Sequence, residues 1–206
     1  MKVQLTMLGL VCFGLASCIK HVVVPAPKVK VDLSSSFSAD TNGVTISYTS
    51  AADGYAVVVD NYREIKGSPQ MSSIKYYNTL KSDSKIAQVK FTVGSAEWDA
   101  ASGNFPPLAT VTAFLSTTVP PVYSAAGVHG VEIIWKDDAG VLWMSRDTSI
   151  ATVPGTFVFT SVTQQSDETG DYFKFKATFN CYLYNNNGSD SVYFQNGLYT
   201  SYFKNN

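Results

Sequence analysis

From Phe37 onward, short runs of alternating apolar and polar residues are separated by turn residues. A period of two puts successive side chains on opposite faces of an extended strand, so each run predicts a half-buried strand. Val44, Ile46 and Tyr48 alternate with Thr45 and Ser47, and Asp53-Gly54 marks a tight turn before a return strand over Tyr55 to Val59. Val89, Phe91 and Val93 repeat the pattern. Val131–Trp135 and Val141–Ser145 flank Asp137-Asp138-Ala139-Gly140, the strongest hairpin signal in the chain. Thr156 to Val162 follows Pro154-Gly155. The clearest strand comes next, with Phe173, Phe175, Ala177, Phe179, Cys181 and Leu183 on one face. Tyr172, Lys174, Lys176, Thr178, Asn180 and Tyr182 take the other face. Asn185 to Asp190 reads as a turn, and Ser191–Gln195 and Leu198–Phe203 close the chain.

Other stretches are less regular. Residues 60–84 give no settled pattern, with a break at Lys66-Gly67-Ser68-Pro69. Ala96 to Pro107 reads as irregular and contains Trp98, while the β-branched run Thr110 to Thr117 reads as a strand ended by Pro120-Pro121. No apolar period of 3.6 residues persists over ten positions. The expectation is an all-β fold of nine or ten short strands, an antiparallel β-sandwich with a β-barrel as the alternative.

The N-terminus follows a different pattern. Met1-Lys2 precede an apolar run, Val3 to Phe13, which is shorter than the roughly 20 residues that span a bilayer. Small residues close it at Leu15-Ala16-Ser17-Cys18. A basic start, a short apolar core and a small-residue cut site describe an export signal. With cysteine directly after, the segment resembles a bacterial lipoprotein signal. That resemblance implies a diacylglyceryl thioether on Cys18, cleavage before it and acylation of the new amino terminus. The expected organisation is a signal at 1–17, a lipidated tether at 18–36 containing Pro25 and Pro27, and one β domain at 37–206. One acyl chain anchors only marginally, so several are needed to hold a protein on a membrane.

Composition narrows the function classes. The net charge of −1 argues against nucleic acid and against electrostatic attachment to anionic lipid. With Cys12 lost alongside the signal and Cys18 acylated, Cys181 is left without a disulfide partner. Its place on the apolar face of the long strand predicts a buried, unreactive thiol.

Catalytic chemistry is sparse. His21 falls in the tether, and His129 sits between Val128 and Gly130 at a strand start. No Cys/His spacing suits zinc, and no glycine-rich phosphate loop or nucleophile elbow occurs, so no metal, no cofactor and no enzymatic activity are expected. Asp137 with Asp138, and Asp167 with Glu168 and Asp171, read as solvated turns. Glu97 and Asp99 flank Trp98, and in an extended stretch both acids point away from the indole. A ring open to water beside polar groups is what stacks on a sugar, which makes Trp98, Glu97 and Asp99 the candidate ligand-binding set. Trp135 and Trp143, on the two arms of one hairpin, are expected to be packed. Tyr172, Tyr182, Tyr184, Tyr193 and Tyr202 are expected on an outer, half-wet face.

Asp190-Ser191-Val192 resembles the short O-glycosylation signal of Bacteroidota envelope proteins. The C-terminal part, roughly residues 128–203, resembles small all-β Bacteroidota lipoproteins of unknown function. The resemblance rests on Asp137-Asp138-Ala139-Gly140-Val141-Leu142-Trp143, Gly155-Thr156-Phe157-Val158-Phe159, Ala177-Thr178-Phe179-Asn180-Cys181-Tyr182-Leu183-Tyr184 and Asn196-Gly197. It brings no catalytic residues. The functional expectation is a non-catalytic structural or interaction protein, lipid-anchored in the cell envelope at the outer membrane, with a carbohydrate-binding accessory module as the alternative. Its expected partners are the membrane, through the anchor, and a glycan or another envelope protein.

Overall fold

The computed structural model describes residues 29–123, 129–145 and 155–205. The signal at 1–17, Cys18, His21 and the tether as far as residue 28 lie outside the described residues.

Among the described residues, ten strands form one antiparallel sheet: β1 (Ser36–Thr41), β2 (Val44–Thr49), β3 (Tyr55–Glu64), β4 (Ser72–Ser82), β5 (Gln88–Trp98), β6 (Gly130–Lys136), β7 (Leu142–Ser145), β8 (Thr156–Asp167), β9 (Gly170–Asn185) and β10 (Ser191–Lys204). The order is β2-β1-β10-β9-β7-β6-β5-β4-β3, with β8 paired to β9 beside β7. The sheet curls strongly into a half-barrel, so its concave face packs against itself around one core. The all-β antiparallel expectation therefore holds.

The inner face of β9 carries Phe173, Phe175, Ala177, Phe179, Cys181 and Leu183, all buried, as the alternation predicts. Rings from neighbouring strands meet them. Phe175 stacks on Phe203 with centroids 4.7 Å apart, and Phe91 lies 5.3 Å from Phe157. Such aromatic pairs add about 0.5–1.5 kcal/mol each beyond the area they bury.

Three expectations are corrected. First, residues 44–48 and 55–59 do not form a hairpin. β2 pairs with β1 around Asn42-Gly43, whose positive φ angles of 50° and 76° suit a two-residue hairpin turn. Asp53-Gly54 lies in a longer link, so β2 and β3 become opposite ends of the sheet order. Second, residues 60–84 are mostly strand: β3 runs on to Glu64, and β4 buries Ile74, Tyr76, Asn78 and Leu80 in strict alternation. The buried polar Asn78 hides this pattern from a hydrophobicity reading. Third, Thr110–Thr117 is not a strand. Leu108–Leu115 is a helix, α1, preceded by Pro106-Pro107. Val111 and Leu115 point into the core, and Leu108 packs against it. Their i, i+3, i+7 spacing is helical and outweighs the strand propensity of Thr110, Val111 and Thr112.

The last two expected strands are one, β10, interrupted by a register shift between Phe194 and Gly197. Asn196 has φ +51°, and a Cβ on Gly197 would lie 2.4 Å from the Phe179 ring. Glycine is required there because that ring covers the backbone.

Candidate functional site

The candidate set sits at the C-terminal end of β5. Alternation there holds: Glu97 and Asp99 are exposed and Trp98 is enclosed between them. The indole is 2% exposed, and its Nε1–H donates to the Gly103 carbonyl at 3.0 Å. The expectation that Trp98 projects from an irregular stretch is thus corrected, because β5 continues through Trp98 and turns the ring inward. Asp99 accepts the Ala101 amide at 2.9 Å and starts a 3-10 turn over Ala100–Ser102.

Glu97 instead faces a cleft of about 480 Å³ together with Ser95, Phe114, Thr117, Val119 and His129. The structure thus brings Glu97 and His129, distant in sequence, to one cavity. The His129 Nε2 lies 2.7 Å from the Val119 carbonyl oxygen. A carbonyl only accepts, so this nitrogen carries the proton and is engaged as a donor. The ring also meets Phe114 edge-on at 5.2 Å. His129 therefore braces the segment after α1.

Trp135 and Trp143 are cross-strand partners, stacked with centroids 6.4 Å apart. Both are buried, as expected. Each indole N–H finds an acceptor: Tyr48 Oη at 2.9 Å for Trp135, and Asp137 Oδ2 at 2.9 Å for Trp143. The Asp137 Oδ1 also accepts the Val141 amide at 2.8 Å, so this acid organises its own hairpin. Cys181 is buried, and burial pushes its thiol up to about 12. Ser191 is exposed at the start of β10.

The tyrosines divide. Tyr182, Tyr184 and Tyr193 form a half-buried cluster on the outer face, with Tyr182 and Tyr193 4.6 Å apart. Tyr172 and Tyr202 are buried against each other at 5.8 Å, edge to face.

An aromatic ring open to water appears where the sequence reading had none. Tyr62 is 60% exposed on the outer face of β3. It shares a cleft of about 400 Å³ with Asp60, Asn61, Tyr77, Thr79 and Lys90. Cross-strand pairing assembles this set: Asp60 opposes Tyr77, and Thr79 opposes Lys90. The Lys90 ammonium lies 4.6 Å from the Tyr77 ring centroid. Burial raises the Tyr77 phenol, helped by Glu132, Tyr62 and Asp60. The polar alternation Asp60, Tyr62, Glu64 is the signal that could have found this surface. It lay in the stretch that gave no settled pattern.

The interior holds a second polar assembly. The Asn78 amide nitrogen donates to Ser201 Oγ and to the Tyr202 carbonyl, each at 2.7 Å. The Tyr199 hydroxyl donates to Asn78 Oδ1. Ser201 and Ser35 share a hydrogen bond of 2.8 Å. Nearby, Tyr76 donates to Asn205 Oδ1 at 2.7 Å. These groups satisfy one another and stitch β4 to β10 across the core.

Compared with known protein families, with curated proteins and with solved structures, the chain matches none.

Proposed function

We propose that this protein is an exported lipoprotein of the cell envelope, held on the outer membrane through Cys18, with a structural or interaction role that involves no catalysis of its own. The observation that carries the reading is Leu15-Ala16-Ser17-Cys18 closing a short apolar segment behind Met1-Lys2. Its physical sense is that an acylated cysteine fixes the chain to a bilayer without a spanning helix. The test is fractionation. Cys18→Ala should move the protein from the membrane to the soluble fraction, and the wild type should gain the mass of its acyl chains. A Cys18→Ala variant that stays on the membrane at the same processed mass would overturn the assignment.

The exposed Tyr62 favours a second reading, a carbohydrate-binding accessory module. Its open ring lies beside an acid, an amide, a hydroxyl and an ammonium, groups that can orient sugar hydroxyls while the ring stacks on the sugar face. A glycan array probed with wild type and Tyr62→Ala tests it. Wild-type binding lost in the variant supports the reading. No wild-type binding above background removes it.

A further inference from the structure

The chain leaves the half-barrel at a fixed point. Val31 N–H donates to Asp167 Oδ2 at 2.9 Å, at the end of β8 beside the β8–β9 turn. Asp32 lies 3.7 Å from the Lys174 ammonium. Ser35 is buried, its amide donates to Ser50 Oγ at 2.8 Å, and its carbonyl accepts the Ser50 amide at 2.8 Å. Residues 31–35 are therefore a strap bound to the domain, and the part of the tether that can hold it off a membrane ends at Lys30.

Strand directions locate this exit. β9 runs from Gly170 to Asn185, and antiparallel pairing fixes every other strand relative to it. The β8–β9 turn, the end of β10 and the β3–β4 turn lie at one end of the half-barrel. The β1–β2, β4–β5, β6–β7 and β9–β10 turns lie at the other. Exposed apolar side chains occur at both ends, Val29, Ile65 and Met71 at the exit end and Val44, Ile86 and Val141 at the far turns, so they do not set the orientation.

We propose that this end of the half-barrel, carrying the β8–β9 and β3–β4 turns, faces the lipid bilayer and that the opposite set of turns points away from it. The inference rests on acylation of Cys18. Twelve residues lie between Cys18 and Val31, so thirteen chain steps join them. Fully extended they span roughly 45 Å. The 16 residues of β9 alone run on the order of 50 Å. Putting the far turns on the bilayer would require the tether to run back along the whole domain at full stretch. With the exit end down, it needs no such extension.

Single cysteines test this in the full acylated chain. Cys12 leaves with the signal, Cys18 is acylated and Cys181 is buried, so an introduced thiol is the reactive one. Gln70→Cys and Glu168→Cys report the exit end, and Asn187→Cys and Ala139→Cys report the far end, all at exposed positions. Each is labelled with a bulky polymer maleimide in isolated membranes, after detergent extraction, and in the Cys18→Ala background. The expected result is labelling severalfold slower at residues 70 and 168 in membranes only, with residues 187 and 139 unchanged. Equal rates at both ends, or slowing at the far end, would overturn the orientation. Slowing at residues 70 and 168 that persists in detergent would assign this end to a protein partner and overturn it too. Retention of Cys18→Ala on the membrane at the same processed mass would instead overturn the anchor, which reads out separately.

Discussion

The Trp135 indole donates its Nε1–H to the Tyr48 hydroxyl at 2.9 Å, joining β6, within the sheet, to the end strand β2. The two residues are 87 apart in sequence. Tyr48 also lies 5.1 Å from Tyr55 on β3, at the opposite end of the sheet order. One phenol thus gathers three strands that share no ladder, and this is how the curled sheet keeps its ends together.

Removing that joint should weaken the whole domain. Trp135→Ala is expected to cost about 3–5 kcal/mol, the usual range for truncating a buried indole. Tyr48→Phe, which removes only the acceptor, is expected to cost about 1–3 kcal/mol, because it strands a buried N–H. Urea unfolding followed by tryptophan fluorescence gives both values. Equal costs for the two variants would mean that the hydrogen bond, and not the packing, holds the contact.

Asn78 is the most exposed point of failure in the energetic sense, although it is fully buried. Asn78→Ala leaves Tyr199, Ser201 and the Tyr202 carbonyl short of a partner, at about 1–3 kcal/mol for each stranded group. A total loss of about 3 kcal/mol or more is expected in chemical denaturation. Adding Tyr199→Phe to Asn78→Leu should recover part of the loss. A simple sum of the two single losses would show that the groups do not act together.

Alkaline unfolding should be steep. Burial, with smaller contributions from Tyr48, Asp138 and Asp53, pushes the Tyr55 phenol up to about 12. Burial raises Tyr76, Tyr123 and Tyr199 further. An unfolded phenol titrates near 10. The folded state holds these protons more tightly, so their contribution is complete below pH 10 and falls as pH rises through about 12. Tyrosinate absorbance should show four of the twelve tyrosines appearing only together with loss of the fold. Early titration of all twelve would contradict this. Thiol reagents should label Cys181 only on the same transition.

Acid should release the strap first. Asp167 is held down to about 2, chiefly by the Thr169 hydroxyl, then by the Val31 and Thr169 amides. A free aspartate titrates near 3.9. Its folded value is depressed, so the stabilisation is present above pH 4 and is lost as pH falls from about 4 towards 2. The Val31 amide should lose its protection, measured against the intrinsic exchange rate, over that window while amides of β9 stay protected. Asp167→Ala should show the fast exchange at neutral pH, with the core intact. An unchanged Val31 rate in that variant would mean that Asp32 and Ser35 fix the strap without it.

By itself, the sequence determined the all-β class, the long β9 with its buried Cys181 and the packed Trp135–Trp143 hairpin. Each depends on short-range regularity: a period of two over many residues, or a turn between two apolar runs. The tertiary structure alone decided which strands are neighbours. Asn42-Gly43 and Asp53-Gly54 are both good turn pairs locally, and only closure of the curled sheet selects the first as a hairpin. The same holds for α1, where β-branched residues favour a strand but burial of Val111 and Leu115 requires a helix. Trp98 departs from the exposure expected of its surroundings, and Tyr62 supplies an open ring instead, for the same reason. Exposure is a property of the assembled sheet: β5 turns Trp98 towards the core, while the outer face of β3 holds Tyr62 in water. Asn78 is polar and buried because its partners arrive from β10, more than 120 residues later in the chain, beyond the reach of any local pattern.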